Sequence, residues 1–479
     1  AYEKAIELQP AMAEAHTNLG NAYRALLRHD DAVAAYEKAL AIQPGNAEVI
    51  CNIGNIFKDQ GRFDDAIARY QSAIEIQPEL AIAHSNLAHV LERTHQNDAA
   101  RGPAERAIQI DPGHVGAHRL LARLDRAEGH LDKAEQRLAA IVDQPWLTEP
   151  MAHASIEYGA VLDRLGRADE AFAAVQRGQQ GIVPPNSPTV AQMAAFEAML
   201  ERCRTQPSDE TIAGWTGPTG HEPSDRLIFL LGFPRSGTTL SEQILGSHPS
   251  LLTTDERPLL RAVIERIPEI TGREDYPASI EGIDDAGAAS LRETYWAEAE
   301  SLIGPEALTR RLIDKQPYNT THMPLIRRLF PAAHLLIALR DPRDACLSLF
   351  FQDVRPNQGM LHYPDLGAVV SVYNRMMSCY LRYRDIPGWN LKEFRYEDLV
   401  ADKDGVTRAL LEFLGEPWND AVLDHTETAR TKHLSTINYQ DVAQPVFDRS
   451  VQKWRAYEPH FAPHQATLAR FVETFGYQA

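Results

Sequence analysis

The chain has 479 residues, of which 44% are hydrophobic and 24% charged, a composition typical of folded globular domains. At this length we expect two or three domains. The formal net charge of −18 argues against general binding of nucleic acid, and the sequence contains no apolar run of the roughly 20 residues that cross a bilayer. We therefore expect neither a nucleic-acid partner nor membrane insertion, and any anionic ligand needs a local positive pocket.

The first residues, 1–5, have no basic-then-apolar pattern of a signal peptide and begin inside a helical pattern, which is typical of a fragment. Four cysteines, Cys51, Cys203, Cys346 and Cys379, lie far apart without the spacing of metal ligands. This spacing predicts reduced, buried thiols and a cytoplasmic location, with no metal site.

Residues 1–184 carry an internal repeat. Four prolines fall 34 residues apart, at Pro10, Pro44, Pro78 and Pro112. Glycine and alanine recur at matching offsets before each proline (Gly20, Gly54, Ala32 and Ala66), and large aromatic residues recur with them (Tyr36 and Tyr70). The small residues allow two helices to approach closely, the tyrosines fill the space between them, and each proline ends a second helix.

This pattern resembles the tetratricopeptide repeat, a pair of antiparallel helices. The resemblance implies an all-α superhelix of about five repeats, right-handed and with a concave groove. Asparagines recur on the first helix of successive units, at Asn18, Asn21, Asn52, Asn55 and Asn86. They resemble the asparagine ladder of O-linked N-acetylglucosamine transferase, which implies that they hold a peptide main chain in the groove. The alternative is that these amides solvate the helix face or bond neighbouring helices.

Residues 185–225 form a junction. Glycine and proline interrupt its two ends, and a helix-like stretch covers residues 189–204. The second domain then covers residues 226–479.

This domain opens with a candidate phosphate loop. The apolar run 227–231 suits a buried parallel strand, and the glycine-bounded loop 232–240 leads into a helical pattern. Backbone N–H groups around Gly237 and the hydroxyls of Ser236, Thr238 and Thr239 are donors for an oxyanion. The glycine spacing is that of a nucleotide triphosphatase loop, but Thr238 stands where such a loop has lysine.

The run 234–240 resembles the 5′-phosphosulfate loop of the sulfotransferase superfamily, and is nearest to tyrosylprotein sulfotransferases and to bacterial proteins that join tetratricopeptide repeats to such a domain. The resemblance implies an α/β domain of P-loop type with a parallel sheet. It also implies 3′-phosphoadenosine 5′-phosphosulfate (PAPS) as cofactor, adenosine 3′,5′-bisphosphate as product, and Arg235 as a cofactor contact and a catalytic residue that stabilises the sulfonate oxygens in the transition state.

A second strand pattern, 334–339, ends at Arg340, and Ser348 follows eight residues later on a helix. In sulfotransferases this pair holds the 3′-phosphate, so the resemblance gives Arg340 and Ser348 that role; two parallel N–H donors of an arginine suit a phosphate. Arg343 is either a further ligand or an ion-pair residue.

Transfer of a sulfonate to a hydroxyl requires a base for the acceptor proton and cations for the charge that develops. Glu256 lies 21 positions after Arg235, as the catalytic glutamate of the resembled family does, with Asp255 as its local competitor. Lys315 matches the lysine that contacts the leaving bridge, and we expect the adjacent Asp314 to raise its pKa.

Two further cofactor contacts come from the resemblance alone. Tyr396 matches a tyrosine near the nucleotide, and Lys453 matches a lysine of the closing loop. The serine of that loop corresponds to Asn438 or to Ser435.

The sequence thus predicts a PAPS-dependent sulfotransferase whose acceptor is a hydroxyl, of a peptide or protein side chain such as tyrosine held in the repeat groove. The alternatives are a saccharide or small-molecule acceptor, a repeat scaffold with an inactive catalytic domain, and a kinase that uses ATP and magnesium, which the missing lysine disfavours.

Overall fold

The computed structural model describes residues 2–145, 147–183, 188–215, 226–353, 362–424 and 449–478. The chain divides into two compact units, Ala1–Ile182 and Val183–Ala479. Within the described ranges, every helix is too short or too polar to cross a membrane.

The first unit is entirely helical over its described residues. Its helices are α1 (Tyr2–Leu8), α2 (Ala13–Ala25), α3 (His29–Ile42), α4 (Ala47–Asp59), α5 (Phe63–Ile76), α6 (Ala81–Arg93), α7 (Asn97–Ile110), α8 (Val115–Ala127), α9 (Leu131–Val142), α10 (Glu149–Arg164) and α11 (Ala168–Ile182). From α2 onward they pack as consecutive pairs. Each repeat proline follows the end of a helix by two residues, as the sequence predicts.

The close approach of paired helices is confirmed at the two repeat glycines, Gly20 and Gly54. A Cβ atom at Gly20 would lie 2.5 Å from the ring of Tyr36, and one at Gly54 would lie 2.7 Å from the ring of Tyr70. Both tyrosines are fully buried. Any larger residue at these two positions would displace the ring that fills the pair.

Histidines add a contact that the sequence analysis does not anticipate. In three repeats, a histidine Nε2 forms a hydrogen bond with the carbonyl oxygen of the proline six residues earlier. The pairs are His16 with Pro10 at 3.0 Å, His84 with Pro78 at 2.9 Å and His118 with Pro112 at 2.9 Å. The bond ties the turn to the next helix.

The second unit alternates strands and helices. It contains α12 (Pro188–Cys203), α13 (Asp209–Gly214), β1 (Leu227–Gly232), α14 (Thr238–Gly246), β2 (Leu251–Thr253), α15 (Leu259–Thr271), α16 (Asp285–Ile303), β3 (Arg311–Lys315), α17 (Met323–Leu329), β4 (His334–Leu339), α18 (Pro342–Phe350), α19 (Leu366–Arg384), β5 (Leu391–Arg395), α20 (Tyr396–Ala401), α21 (Lys403–Leu414), α22 (Glu458–Phe461) and α23 (Gln465–Thr474).

Its five strands form one parallel sheet in the order β2-β3-β1-β4-β5. β1 is central and all six of its residues are buried, which explains its unbroken apolar sequence. Because the strands are parallel, the residues that follow β1, β2, β3 and β4 meet at one edge of the sheet. That edge carries the candidate site.

Candidate active site

The loop after β1 has the backbone of an oxyanion cradle. Gly237 has φ +93°, and a Cβ there would meet the ring of Tyr396 at 2.5 Å, so only glycine fits. α14 begins at the next residue, and its N-terminal N–H groups face the loop. Ser236 and Thr238 are buried, while Thr239 is partly exposed. The loop is therefore shaped by Gly237 and covered on one side by Tyr396.

Three of the sequence-predicted residues converge beside this loop. Arg235, at φ +72°, donates from Nε to the Ser348 hydroxyl at 2.9 Å. Arg340 donates to the Arg235 carbonyl oxygen at 2.8 Å and to the Ser450 carbonyl oxygen at 2.6 Å. The Arg340 guanidinium also lies 4.7 Å from the centroid of the Tyr396 ring. The two loops after β1 and β4 thus form one basic cluster.

This cluster fits a nucleotide that carries two anionic groups. The Nε of Arg340 is buried and has no hydrogen-bond partner among the described residues. A buried unpaired guanidinium donor costs free energy unless a ligand satisfies it, and a phosphate oxygen is the natural acceptor. The helix N-terminus of α14 offers a second site for an oxyanion.

Glu256 lies just beyond β2 on a strained backbone. Thr254 is fixed to β3, because its N–H donates to the Ile313 carbonyl oxygen at 3.1 Å and its hydroxyl accepts the Lys315 N–H at 3.0 Å. The next two residues, Asp255 and Glu256, have φ values of +50° and +62°. Two consecutive non-glycine residues in this conformation cost free energy, and such strain is concentrated at functional sites.

Lys315 is fully buried at the end of β3 and joins the base to the phosphate loop. Its ammonium lies 2.6 Å from the Glu256 carboxylate, 3.1 Å from the Glu242 carboxylate and 3.5 Å from the Thr239 hydroxyl. Burial lowers the pKa of Lys315, but the two carboxylates outweigh burial and raise it above its ordinary value. The ammonium therefore stays charged at neutral pH.

The expected role of Asp314 is wrong. Adjacent residues of a strand point to opposite faces of a sheet, so Asp314 faces away from the Lys315 ammonium. Its carboxylate accepts from the Tyr295 hydroxyl at 2.8 Å and from the Asn319 amide at 3.4 Å. The carboxylate that takes the expected place beside the lysine is Glu242, on α14.

Asp314 gives the domain a pH-dependent stability. Burial raises the pKa of Asp314 to about 7. Between its unfolded pKa near 4 and pH 7 the folded chain holds one more proton than the unfolded chain, so this group lowers stability as pH rises through that window. The free energy of unfolding of Asp314→Asn relative to that of wild type should therefore rise by about 2 kcal/mol from pH 5 to pH 8.

Thermal unfolding of both proteins at the two pH values measures this effect, with Asp404→Asn on the exposed first turn of α21 as control. The control should follow wild type at both pH values. An equal pH dependence in Asp314→Asn and wild type would contradict the pKa shift.

The last predicted cofactor contact, Lys453, lies on a short segment that packs on α18. The Asp344 carboxylate accepts the backbone N–H groups of Gln452 and Trp454 at 2.7 and 2.8 Å. The Lys453 ammonium lies 5.2 Å from the Phe351 ring centroid. Asn438 and Ser435, the two candidates for the closing-loop serine, lie outside the described residues.

Arg343, for which two roles were open, has an ion-pair partner. Its guanidinium pairs with Asp341 at 2.8 Å and lies 3.6 Å from the centroid of the Trp454 ring. It thereby braces the start of α18 against the segment that carries Lys453.

The asparagine rows of the first unit make contacts within and between repeats. The side-chain oxygens of Asn21 and Asn55 accept from the hydroxyls of Tyr36 and Tyr70, at 2.6 and 2.9 Å. Asn86 donates to the oxygen of Asn55 at 3.0 Å. These contacts agree with the alternative interpretation, in which the asparagine amides bond neighbouring helices. The half-buried amides of Asn18 and Asn52 have no hydrogen-bond partner among the described residues.

Sequence reasoning missed Glu242, although a signal for it exists. Glu242 lies three residues after Thr239 in the helix that follows the phosphate loop, and residues three apart share a helix face. A carboxylate on the face that points to the loop needs a cation, and Lys315 is that cation.

The fold and this site define a parallel α/β domain suited to an anionic nucleotide, preceded in the chain by helical repeats. Comparison with known proteins agrees with both parts. Residues 227–420 match the model described as Sulfotransferase family. Residues 13–46 and 104–145 match models described as Tetratricopeptide repeat, and residues 54–94 match one described as TPR repeat.

Individual relatives match about half of the chain. An uncharacterized protein of Aquifex aeolicus (strain VF5) is 32% identical over 250 residues, 51% of this chain and 32% of that protein. Protein-tyrosine sulfotransferase 1 of Danio rerio is 27% identical over 265 residues, 52% of this chain and 72% of that protein. The sulfotransferase domain of the Synechococcus PCC 7002 olefin synthase has 23% identity and a TM-score of 0.40, and the match covers 55% of this chain and 99% of that domain.

The match thus spans about a third of the length of the Aquifex protein. Parts of the chain are thus similar to tetratricopeptide repeats and to the sulfotransferase family, and the predicted fold class is confirmed. These matches support the predicted class of enzyme, a sulfotransferase.

Proposed function

We propose that this protein is a PAPS-dependent sulfotransferase that moves a sulfonate to a hydroxyl. One observation carries the proposal: the Glu256 carboxylate and the Lys315 ammonium are 2.6 Å apart, and the same ammonium lies 3.5 Å from Thr239 of the phosphate loop. A base and a cation therefore meet where the loop would hold a sulfonate. The family match supports the same chemistry.

PAPS supplies the activated sulfonate and a leaving bridging oxygen. The loop 232–240 and Arg235 would hold its 5′-phosphosulfate through N–H donors, while Arg340 and Ser348 would hold the 3′-phosphate. Tyr396 and Lys453 would cover the nucleotide. Glu256 would take the proton of the acceptor hydroxyl, and Lys315 would stabilise charge on the bridging oxygen as the bond to sulfur breaks. No metal is part of this proposal.

Binding of the product tests the cofactor. Adenosine 3′,5′-bisphosphate at saturating concentration should raise the melting temperature of the protein, because a ligand that binds only the folded state stabilises it. ATP with magnesium at the same concentration is the comparison for the kinase alternative. The absence of a shift with the bisphosphate would overturn the choice of PAPS.

For the acceptor we propose a peptide or protein hydroxyl such as that of tyrosine, with a saccharide as the alternative. The half-buried amides of Asn18 and Asn52 support this choice, since a carboxamide complements one peptide unit. Mass spectrometry of cell extract incubated with PAPS and the protein distinguishes the two: the proposal requires sulfonated peptides, whereas sulfonated saccharides alone would favour the alternative.

The groove is tested by removing the two amides that the repeats do not use. Asn18→Ala combined with Asn52→Ala should raise the KM for a peptide acceptor roughly tenfold, because two hydrogen bonds of about 0.5–1.5 kcal/mol each are lost. The kcat and the affinity for adenosine 3′,5′-bisphosphate should not change. Gln43→Ala with Gln77→Ala, on exposed helix ends of the same unit, is the matched control. An unchanged KM would remove the groove from acceptor binding.

A cytoplasmic location also stays a proposal. The support is that all four cysteines are free and buried, which suits a reducing compartment. Fractionation of source cells with an antibody against the protein tests it.

A further inference from the structure

Lys315 has a second carboxylate partner, Glu242, to which the proposed mechanism gives no role. Glu242 is completely buried, its Oε2 lies 3.1 Å from the Lys315 ammonium, and Lys315 itself has no exposed surface. Glu256, by contrast, keeps 24% of its side-chain surface exposed. The ammonium thus has one inner carboxylate that solvent and acceptor cannot reach, and one outer carboxylate that they can.

We propose that Glu242 is a positioning residue that serves as the inner counter-ion of Lys315, which leaves Glu256 free to take up the proton of the acceptor. This inference rests on the proposed sulfotransferase activity and assigns a new residue to it.

The charge changes in the step give such a group a role. The acceptor oxygen forms a bond to sulfur while its proton passes to Glu256, and the bond between sulfur and the bridging oxygen breaks with its electron pair left on that oxygen beside Lys315. Glu256 ends the step neutral. As Glu256 is neutralised, the bridging oxygen gains the negative charge that faces the ammonium, and Glu242 remains as a counter-ion that the step does not change. Glu242 keeps the ammonium paired throughout.

Glu242 also holds the backbone that carries the base. Its Oε1 accepts the N–H of Asp255 at 2.9 Å. Asp255 and Glu256 are the two residues with positive φ, and the bond to Glu242 helps to fix this strained step. One side chain on α14 therefore orients both the cation and the base.

The charged groups that face Glu242 are few among the described residues. Lys315 comes from β3, and Asp255 and Glu256 come from the segment after β2. Asp314, on the opposite face of β3, has its own pKa raised in part by the charge of Glu242. Burial raises the pKa of Glu242, Lys315 lowers it and Asp255 raises it, with a net result of about 7, so Glu242 carries its charge above that pH.

Glu242→Gln tests the proposal, because glutamine keeps the shape and one acceptor oxygen for the Asp255 N–H but removes the charge. We expect kcat to fall by about 10- to 100-fold. The affinity for adenosine 3′,5′-bisphosphate should stay within threefold, and the melting temperature should not fall. Asp314→Asn is the matched control: it neutralises an equally buried carboxylate on the other face of β3 and should keep the kcat of wild type.

A second measurement needs no turnover. In ligand-free protein labelled with nitrogen-15 at lysine Nζ, the Lys315 signal, assigned by its loss in Lys315→Arg, should titrate about one pH unit or more lower in Glu242→Gln than in wild type. Either an unchanged kcat or an unchanged titration of Lys315 overturns the counter-ion role. Absence of sulfonate transfer by wild type would instead overturn the proposed function, and the titration would still report whether Glu242 pairs with Lys315.

Discussion

Glu256→Gln should abolish sulfonate transfer and leave the cofactor site intact. A glutamine amide cannot take up the acceptor proton, and loss of a positioned base reduces rates by about 10²- to 10⁴-fold. Its side-chain oxygen can still accept from Lys315, and the partly exposed position tolerates an isosteric change. Transfer from sulfur-35-labelled PAPS to extract proteins measures the rate, and calorimetry with adenosine 3′,5′-bisphosphate measures binding. Both should be done on the full chain.

Asp255→Asn is the informative partner for this variant. Asp255 is the neighbouring carboxylate that the sequence could not exclude, and it shares the positive φ of Glu256. The contact that favours Glu256 is its 2.6 Å distance to the Lys315 ammonium. Asp255→Asn should therefore retain most of the wild-type rate. Loss of transfer in Asp255→Asn with retention in Glu256→Gln would reverse the assignment.

The strand–loop–helix segments of the second unit could be predicted because their signal is local. An apolar run followed by a glycine-bounded loop is compatible with few structures, and Arg235, Arg340 and Ser348 do come together after β1 and β4. Parallel pairing explains why: residues separated by about a hundred positions meet wherever two strands end side by side. Their roles toward PAPS stay predictions.

The partners of Lys315 could not be predicted in the same way. Proximity in sequence favoured Asp314, but the alternation of side chains along β3 sends that carboxylate to the opposite face. Glu242 reaches the lysine through the packing of α14 on the sheet, which depends on tertiary structure. The backbone strain at Asp255 and Glu256 is likewise invisible in a sequence, since neither residue is a glycine.

In the helical first unit, too, the sequence predicts some contacts and not others. The 34-residue spacing predicts the helix pairs and the contact between Gly20 and Tyr36. It does not predict that Tyr36 uses Asn21 as its hydrogen-bond acceptor, because one periodic asparagine serves equally well as a groove amide or as an internal partner. Only the side-chain contacts separate these uses.

Lys315→Met should have the second large effect, on stability as well as on rate. The variant leaves the Glu242 and Glu256 carboxylates together without their cation, one of them fully buried. Removal of one partner of a buried ion pair costs about 3–5 kcal/mol. At pH 8 we therefore expect a clear loss in the free energy of unfolding, together with a loss of sulfonate transfer of about 10³-fold or more.

The stability loss should shrink as the pH is lowered. Burial already raises the pKa of Glu242 to about 7 in the presence of Lys315, and removal of the cation raises it further. Because the folded variant then binds a proton that the unfolded chain does not bind above its pKa near 4.3, lowering the pH from 8 to 5 stabilises the folded state. Activity should not return, since a protonated carboxylate cannot replace the ammonium.

The double variant Lys315→Met with Glu242→Gln separates the two effects. Replacement of the buried carboxylate by a neutral amide removes the unpaired charge, so the free energy of unfolding at pH 8 should recover to within about 1 kcal/mol of wild type. Transfer should stay lost, because the cation at the bridging oxygen is still missing. Chemical denaturation at pH 5 and pH 8 measures the first result. If the double variant is no more stable than Lys315→Met at pH 8, Glu242 is not the carboxylate that Lys315 neutralises.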